Sequence, residues 1–388
     1  MTYFDWNATA PLLPSARSAW LSASHDAWAN PSTAYRLGAG AKVVLEDARR
    51  AMAGVMGVAP ERVVFTSGAT EANNAFIHEA ARRARLDDKI WISAVEHPSV
   101  REAAIRFWGR ERVVHIPVTG DGIVDLQWVE EHIGESRPEL VSVMAVNNES
   151  GVIQPCQSVL DLCKVHGVAF HTDAVQWFGK GNGNLIPWAE CAGISISAHK
   201  FGGPKGTGCL ILGDEWTGAV LQSGGGQEHG NRAGTEDVAG IAAMVVALQT
   251  RLAEPPGADE LAARDQFESG LLEQFPNAVV HGAAAPRMWN TSLVGLPDFK
   301  SARWIARLDK RGFQVSTGAA CSAGKKGPSM VMQAMGVDDG IARRTLRISA
   351  GWETGPDDWT ALLEALKEVH QELVSEEPQG GPGTVIEI

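Results

Sequence analysis

Residues 194–212 read Ile-Ser-Ile-Ser-Ala-His-Lys-Phe-Gly-Gly-Pro-Lys-Gly-Thr-Gly-Cys-Leu-Ile-Leu. An apolar run ends at Ser197, Lys200 follows it, and a glycine-rich loop leads into a second apolar run. Short apolar runs of this kind are typical of strands in a sheet that is buried on both faces. The stretch therefore predicts two strands of a buried sheet, with Lys200 just beyond the end of the first.

The same pattern extends along the chain on either side of this stretch. Apolar runs alternate with longer amphipathic segments, which predict helices from about Glu71 and over residues 158–166. An alternation of strands and helices predicts an α/β fold with a mostly parallel sheet and helices on both faces. The predicted strands are residues 63–66, 90–93, 140–144, 168–171, 194–197 and 208–212.

The alternation breaks at the Glu-Pro-Pro-Gly stretch of residues 254–257. Beyond it, the pattern of helical and apolar segments is mixed, which indicates a separate α+β unit. We predict a large α/β domain over residues 14–254, a smaller α+β domain from residues 1–13 and 255–375, and a flexible tail over residues 376–388.

The bulk properties of the 388 residues narrow the class of protein. The formal net charge is -12, and an acidic surface disfavours direct binding to nucleic acid or anionic lipid. No apolar run approaches the roughly 20 residues that a membrane span needs. The first residues lack the basic-then-apolar pattern of a signal peptide. We therefore expect a cytoplasmic protein with neither a nucleic-acid nor a membrane partner.

Five cysteines are scattered along the chain, and no Cys-x-x-Cys pair occurs. This spacing predicts neither a disulfide framework nor a structural zinc site. Cys156, Cys163, Cys191 and Cys209 have apolar neighbours and are expected to pack as small hydrophobic residues. Cys321 differs, because the small-residue, glycine-rich stretch around it is typical of an exposed mobile loop. A single cysteine on such a loop is a candidate nucleophile.

Two charged side chains follow predicted strands, where open α/β sheets bind ligands. Lys200 can form a Schiff base with an aldehyde cofactor. Asp173 can pair with the pyridinium nitrogen of pyridoxal phosphate, and Gln176, three residues later, can face the same ring. The alternatives are a solvated loop lysine and an aspartate that only caps a helix.

Three further features have both a functional and a structural interpretation. Residues 66–71 join a predicted strand to a predicted helix. The backbone N–H groups at the start of this helix can bind an anion such as phosphate, or side chains can simply cap them. His97 can stack on a ring and exchange protons, or be an ordinary buried loop histidine. Arg347 lies among apolar residues and needs an anionic partner, either a substrate carboxylate or a structural carboxylate.

The order of these features resembles the class V aminotransferase family of fold-type I pyridoxal-phosphate enzymes. Within that family it is similar to the cysteine desulfurases of the iron–sulfur and nitrogen-fixation type. The Ser-Ala-His-Lys element and the Cys321 loop are the most specific parts. The resemblance covers nearly the whole chain through residues 5–11, 30–32, 65–71, 96–97, 146–151, 171–176, 197–200, 203–206, 224–228 and 232–235, and the Cys321 loop with residues 328–329.

The resemblance implies how the cofactor ring and phosphate would be held. Lys200 would bond to the cofactor aldehyde, Asp173 would face the ring nitrogen, and His97 would stack on the ring. Gln176 and Asn148 would lie near the ring hydroxyl and the substrate. The phosphate would be held by Ala69, Thr70, Ser197 and His199, with Thr235 contributed by the second subunit of a homodimer.

The resemblance also implies the reaction. L-cysteine would become L-alanine, with Arg347 binding the substrate carboxylate and Cys321 receiving the sulfur as a persulfide. His97 or the cofactor linkage would take the thiol proton, and the role of Cys321 could extend to transient binding of an iron–sulfur cluster. An acceptor protein would then take the sulfur for iron–sulfur cluster, thio-cofactor or tRNA biosynthesis. The alternatives are another class V aminotransferase, a selenocysteine lyase or a scaffold without activity.

Overall fold

The computed structural model describes residues 1–183, 185–317 and 329–376. Short strands and longer helices alternate through the first two thirds of the chain, as expected from the sequence. In chain order the strands and helices are β1 (Thr2–Tyr3), α1 (Pro14–Asp26), α2 (Arg36–Met56), β2 (Val63–Thr66), α3 (Ala69–Arg83), β3 (Ile90–Ser93), α4 (Pro98–Trp108), β4 (Val113–Ile116), α5 (Leu126–Ser136), β5 (Leu140–Ser142), α6 (Cys156–His166), β6 (Ala169–Asp173), β7 (Gly193–Ser197), β8 (Gly208–Leu212), α7 (Val238–Ala253), α8 (Ala258–Gln274), β9 (Val279–Val280), β10 (Thr291–Gly295), α9 (Ser301–Lys310), β11 (Phe313–Gln314), α10 (Met330–Ala334), α11 (Asp339–Ala342), β12 (Thr345–Ser349) and α12 (Pro356–Glu376).

A seven-stranded sheet forms the centre of the molecule, in the order β2-β8-β7-β6-β5-β3-β4. All neighbouring pairs are parallel except those of β8, which runs antiparallel to both β2 and β7. Every residue of β2, β3, β5, β7 and β8 is buried, because helices cover both faces. The prediction of a buried, mostly parallel sheet is therefore confirmed.

The topology brings the carboxyl ends of six strands, all but β8, to one edge of this sheet. Strands β3, β5, β6 and β7 are mutually parallel, and β2 points the same way because β8 runs antiparallel to both β2 and β7. His97 follows β3, Asn148 follows β5, Asp173 ends β6 and Lys200 follows β7. These side chains are distant in sequence, but the parallel arrangement places them at one edge.

The remaining strands form two small sheets. Strand β10 pairs antiparallel with β12 and with β9, and β1 pairs in parallel with β11. The segment after β1 reaches the three-stranded sheet through a bridge between Asp5 and Ser349. This bridge carries the chain just after Asp5 toward the edge of the large sheet, so residues from both ends of the sequence meet there.

A continuous apolar cluster joins the two parts of the molecule. It includes Val141 of β5 in the large sheet and Leu346 of β12 in the small one, together with Met52 of α2 and Trp304 of α9, each nearly inaccessible to solvent. None of the helices in the described ranges combines the length and apolarity that a bilayer crossing requires. The domain boundaries given above stay a prediction.

Candidate active site

A cavity of about 550 Å³ opens at the carboxyl edge of the large sheet. It is lined by residues that follow β2, β3, β5, β6 and β7, and by the segment after β1. The predicted site residues that line it are Ala69, Thr70, His97, Asn148, Asp173, Gln176, Ser197, His199, Lys200 and Arg347. The structure therefore brings together in one cavity residues that span most of the sequence.

Lys200 is half-buried in this cavity and is not a solvated loop lysine. A single helical turn over Ala198–Lys200 follows β7 and aims the side chain across the cavity. Its Nζ donates hydrogen bonds to the main-chain carbonyls of Asn7, at 2.5 Å, and Ala8, at 2.8 Å. The segment after β1 therefore determines the position of the amine.

Asp173 is 5% exposed and ends β6 without starting a helix, so the capping interpretation is wrong for it. Its Oδ2 accepts a hydrogen bond from Asn73 Nδ2 at 2.7 Å, and its Oδ1 accepts one from the Val175 N–H at 3.1 Å. The carboxylate is held by these two donors and still lines the cavity. It can therefore face a cationic ring nitrogen without moving.

His97 caps α4, and its ring is oriented by Ser99. The Ser99 backbone N–H donates to His97 Nδ1 at 3.1 Å, and Ser99 Oγ lies 2.8 Å from the same nitrogen. A backbone N–H can only donate, so the proton of the neutral ring is on Nε2. Burial lowers the pKa of His97, Asp173 opposes the shift, and the charge on Lys200 reinforces it. His97 is therefore a neutral Nε2–H donor, and it must lose that proton before it can accept one from Cys321.

The start of α3 forms a cradle suited to an anion. Gly68 has a φ of 149°, which residues with a side chain rarely adopt, and a Cβ there would lie 3.6 Å from Ser197 Oγ. The first amides of α3 have no acceptor within the helix. The Ser67 N–H donates a hydrogen bond to Glu71 Oε2 at 2.8 Å. Side-chain capping therefore uses this one N–H and leaves the first amides of α3 for an anion. The cradle has the donors that a phosphate needs.

Arg347 is 1% exposed and already has a protein carboxylate as its partner. Its Nη2 donates to Asp5 Oδ1 at 2.7 Å and its Nη1 donates to the Asn148 carbonyl at 3.2 Å. The Nε is buried and unpaired among the described residues. The structural salt bridge is thus present, and binding of a substrate carboxylate by Arg347 stays a prediction.

The structure adds site residues that the sequence did not indicate. Asn73 donates both to Asp173 and, at 2.9 Å, to Ser99 Oγ, so it links the carboxylate to the residue that orients His97. The main-chain carbonyl of Asn7 accepts hydrogen bonds from Gln176 and Lys200. No local pattern could have revealed these roles, because each contact joins distant parts of the chain.

Two predicted residues lie apart from the cavity or outside the described residues. Thr235 lines a neighbouring cavity together with Ser67, which borders both, so its role toward a second subunit remains a prediction. Cys321 lies within residues 318–328, which the described ranges do not include. Described residues on either side of that stretch are near the site: the main chain of Ser316 is paired with that of Arg347, and Ser329 donates to Glu149 Oε2 at 2.5 Å.

The residues present fit pyridoxal phosphate. An amine is available for an aldehyde at Lys200, a buried carboxylate for a ring nitrogen at Asp173, and a helix start for a phosphate at Gly68 and Ala69. The three groups line a single cavity of about 550 Å³, which lies within the usual range for a cofactor site. The donor set therefore matches the chemistry of each part of this cofactor.

Glu96, behind the cavity wall, gives the site a pH-sensitive group. Its Oε1 accepts hydrogen bonds from Ser93 Oγ at 2.8 Å and the Met144 N–H at 2.6 Å, while its Oε2 is buried without a partner among the described residues. Burial raises the pKa of Glu96 to about 8, and the charge on Asp173 adds to the rise. The folded protein therefore keeps a proton on Glu96 at neutral pH.

We expect the Glu96→Gln substitution to make stability less dependent on pH. The folded pKa of Glu96 is raised, so its stabilising effect is complete below pH 4.5 and is lost as the pH rises through about 8. The free energy of unfolding of the variant relative to wild type should rise by about 2 to 4 kcal/mol between pH 5 and pH 8. Urea unfolding at each pH measures it, with the exposed Glu61→Gln as control. Parallel pH profiles for wild type and Glu96→Gln would contradict the assignment.

Comparison with known proteins agrees with this geometry. The family model for aminotransferase class-V matches residues 2–362. A cysteine desulfurase of Cereibacter sphaeroides is 37% identical over 97% of this chain and 98% of its own length. A solved NifS-like protein is 31% identical with a TM-score of 0.85, covering 96% of this chain and 99% of its own. The structure entitled "SspA in complex with cysteine" is 29% identical with a TM-score of 0.77, covering 90% of this chain and 98% of its own.

The chain therefore belongs to the class V aminotransferase family of pyridoxal-phosphate enzymes. Within that family its place is among the cysteine desulfurases, and the predicted fold class is confirmed.

Proposed function

We propose that this enzyme converts L-cysteine to L-alanine and passes the sulfur to Cys321 as a persulfide. The observation that carries the proposal is that the amine of Lys200, the carboxylate of Asp173 and the start of α3 line a single cavity. The similarity to a cysteine desulfurase and to a protein solved with cysteine supports the choice of substrate.

When bound, pyridoxal phosphate would supply an electron sink for the substrate carbon. Lys200 would hold the cofactor aldehyde and, once its amine is released by the substrate, would move protons at the substrate carbons. The carbonyls of Asn7 and Ala8, within 2.8 Å of Nζ, provide a resting position for that amine. His97 would donate from Nε2 and so assist protonation rather than remove the thiol proton.

Cys321 would act as the sulfur acceptor. In the net reaction the substrate carbon–sulfur bond breaks and a sulfur–sulfur bond forms at Cys321, while the substrate carbon gains hydrogen and leaves as alanine. Cys321 is four residues beyond Thr317, and an extended chain of that length spans up to about 14 Å. Ser316 is paired with Arg347, which lines the cavity, so the stretch that contains Cys321 begins beside the site.

The enzyme would work as a homodimer in the cytoplasm and deliver sulfur to an acceptor protein. The large apolar residues exposed on α1, on the segment that follows it and at the start of α2 would be covered by a second subunit; they are Trp20, Trp28, Tyr35 and Leu37. The same subunit would bring Thr235 to the phosphate. Cys156, Cys163, Cys191 and Cys209 are free thiols, in keeping with a reducing compartment. The acceptor would serve iron–sulfur cluster, thio-cofactor or tRNA biosynthesis.

The proposal is tested by incubating the purified protein with L-cysteine and a reductant. We expect alanine and sulfide in equal amounts and a yellow protein before the substrate is added. Release of pyruvate or transfer of the amino group to a keto acid would instead indicate another class V reaction. A colourless protein without turnover would indicate an inactive scaffold.

A further inference from the structure

A buried lysine lies behind the cavity, outside the residues assigned above. Lys180 is 2% exposed and lies four residues after Gln176. Its Nζ donates to Gln176 Oε1 at 2.6 Å and to Asn7 Oδ1 at 3.0 Å. In the described part of the chain this amine contacts two amide oxygens and no carboxylate, which is unusual for a buried lysine.

The contacts of Lys180 determine which way the Gln176 amide faces. A lysine amine that donates to Gln176 requires the amide oxygen on its side. The opposite end of that amide, Nε2, donates at 3.0 Å to the main-chain carbonyl of Asn7, which can only accept. Two independent contacts thus give the same orientation. Gln176 also lines the cavity, so its second N–H is the group that it can offer to a ligand there.

The electrostatic surroundings of Lys180 favour the neutral amine. Burial lowers the pKa of Lys180 well below its ordinary value, and the charges of Lys200 and Arg347 lower it further. The carboxylate of Asp5 is engaged with Arg347 and does not offset this. A neutral amine has two N–H bonds, which matches the two oxygens that Lys180 contacts.

We propose that Lys180 is a positioning residue that keeps an N–H of Gln176 turned toward the ring oxygen of bound pyridoxal phosphate. The inference rests on the proposed function, since it requires the cofactor in this cavity. A donor at that oxygen stabilises its anionic form and weakens its hold on the proton of the neighbouring Lys200 linkage. Without Lys180, the Asn7 carbonyl alone is left to orient the Gln176 amide, so the amide turns more freely and the donor at the ring oxygen is weakened.

The test is a pH titration of the absorbance of the purified, cofactor-loaded protein. We expect Lys180→Met to raise the apparent pKa of the colour change by about one unit, the effect of losing one hydrogen bond to a charged oxygen. Gln176→Ala should raise it similarly. In the double variant the rise should be no larger than in Gln176→Ala alone, because Lys180 acts through Gln176.

Two results would overturn the inference: an unchanged pKa in Lys180→Met, or a shift that persists in full when Gln176 is absent. If Lys180→Met does not fold, Lys180→Leu takes its place, with Gln176 present and combined with Gln176→Ala, since leucine also lacks a donor to the Gln176 amide. A wild-type protein without a coloured cofactor would contradict the proposed function itself. A coloured wild type with no effect of the lysine would contradict only the role of Lys180.

Discussion

Replacing Lys200 with alanine is expected to lower kcat/KM for alanine formation from L-cysteine by about 10⁴-fold or more. Lys200 is the amine placed to hold the cofactor and to move protons at the substrate, and the variant has no group to replace either role. Asp173 and the start of α3 do not depend on Lys200, so the variant should still bind the cofactor without a covalent bond. Alanine formation and the absorbance spectrum measure the two effects separately.

Lys164→Ala is the matched control for this variant. Lys164 is an exposed lysine paired with Glu190 on the surface, away from the cavity. It should retain wild-type turnover and colour. If Lys200→Ala kept more than about one tenth of the wild-type rate, the loss would be too small for a residue that holds the cofactor and moves protons.

Replacing Cys321 with serine is expected to lower sulfide release by more than about 10³-fold, as loss of a nucleophile does in other enzymes. The cofactor site is formed by other residues, so L-cysteine should still change the absorbance spectrum of the variant. Wild type treated with L-cysteine should carry one additional sulfur atom on Cys321, detectable by mass spectrometry after alkylation. The variant should carry none.

The other cysteines supply the control, because they are buried. Burial raises the pKa of Cys156 and of Cys163 to about 12, and it raises the pKa of Cys191 and Cys209 as well. Thiols of this kind are not thiolates at neutral pH and do not act as nucleophiles. Cys163→Ala should therefore leave sulfide release unchanged. Persulfide on any of these four would show that sulfur takes another path.

The sequence predicted the central strands well because they are buried on both faces. Strands β2, β3 and β8 have the predicted bounds, and an uninterrupted apolar run is a strong local pattern. Strand β4 was missed, because it is at the edge of the sheet, only partly buried and interrupted by His115. Strand β5 ends at Ser142, two residues before the predicted end, although the main chain of Val143 and Ala145 still donates hydrogen bonds to β6.

The predictable part of the site consists of residues next to strand ends. An apolar run precedes each of Lys200, Asp173 and His97. Ligands bind at the carboxyl ends of parallel strands, and this rule was enough to group the three residues in one site. Asn7, Asn73 and Lys180 could not be found in this way. Their roles come from hydrogen bonds across the fold, such as the one from Lys180 to Asn7, and from burial that only the tertiary structure creates.

The central claim is that the amine of Lys200 holds pyridoxal phosphate, and borohydride trapping tests it most directly. Reduction of the purified protein converts a Schiff base into a stable bond, and peptide mass spectrometry then locates the modified lysine. The account predicts a single pyridoxyl group on the peptide that contains Lys200. Modification of Lys180 or Lys205 in place of Lys200, or of no lysine at all, would contradict it.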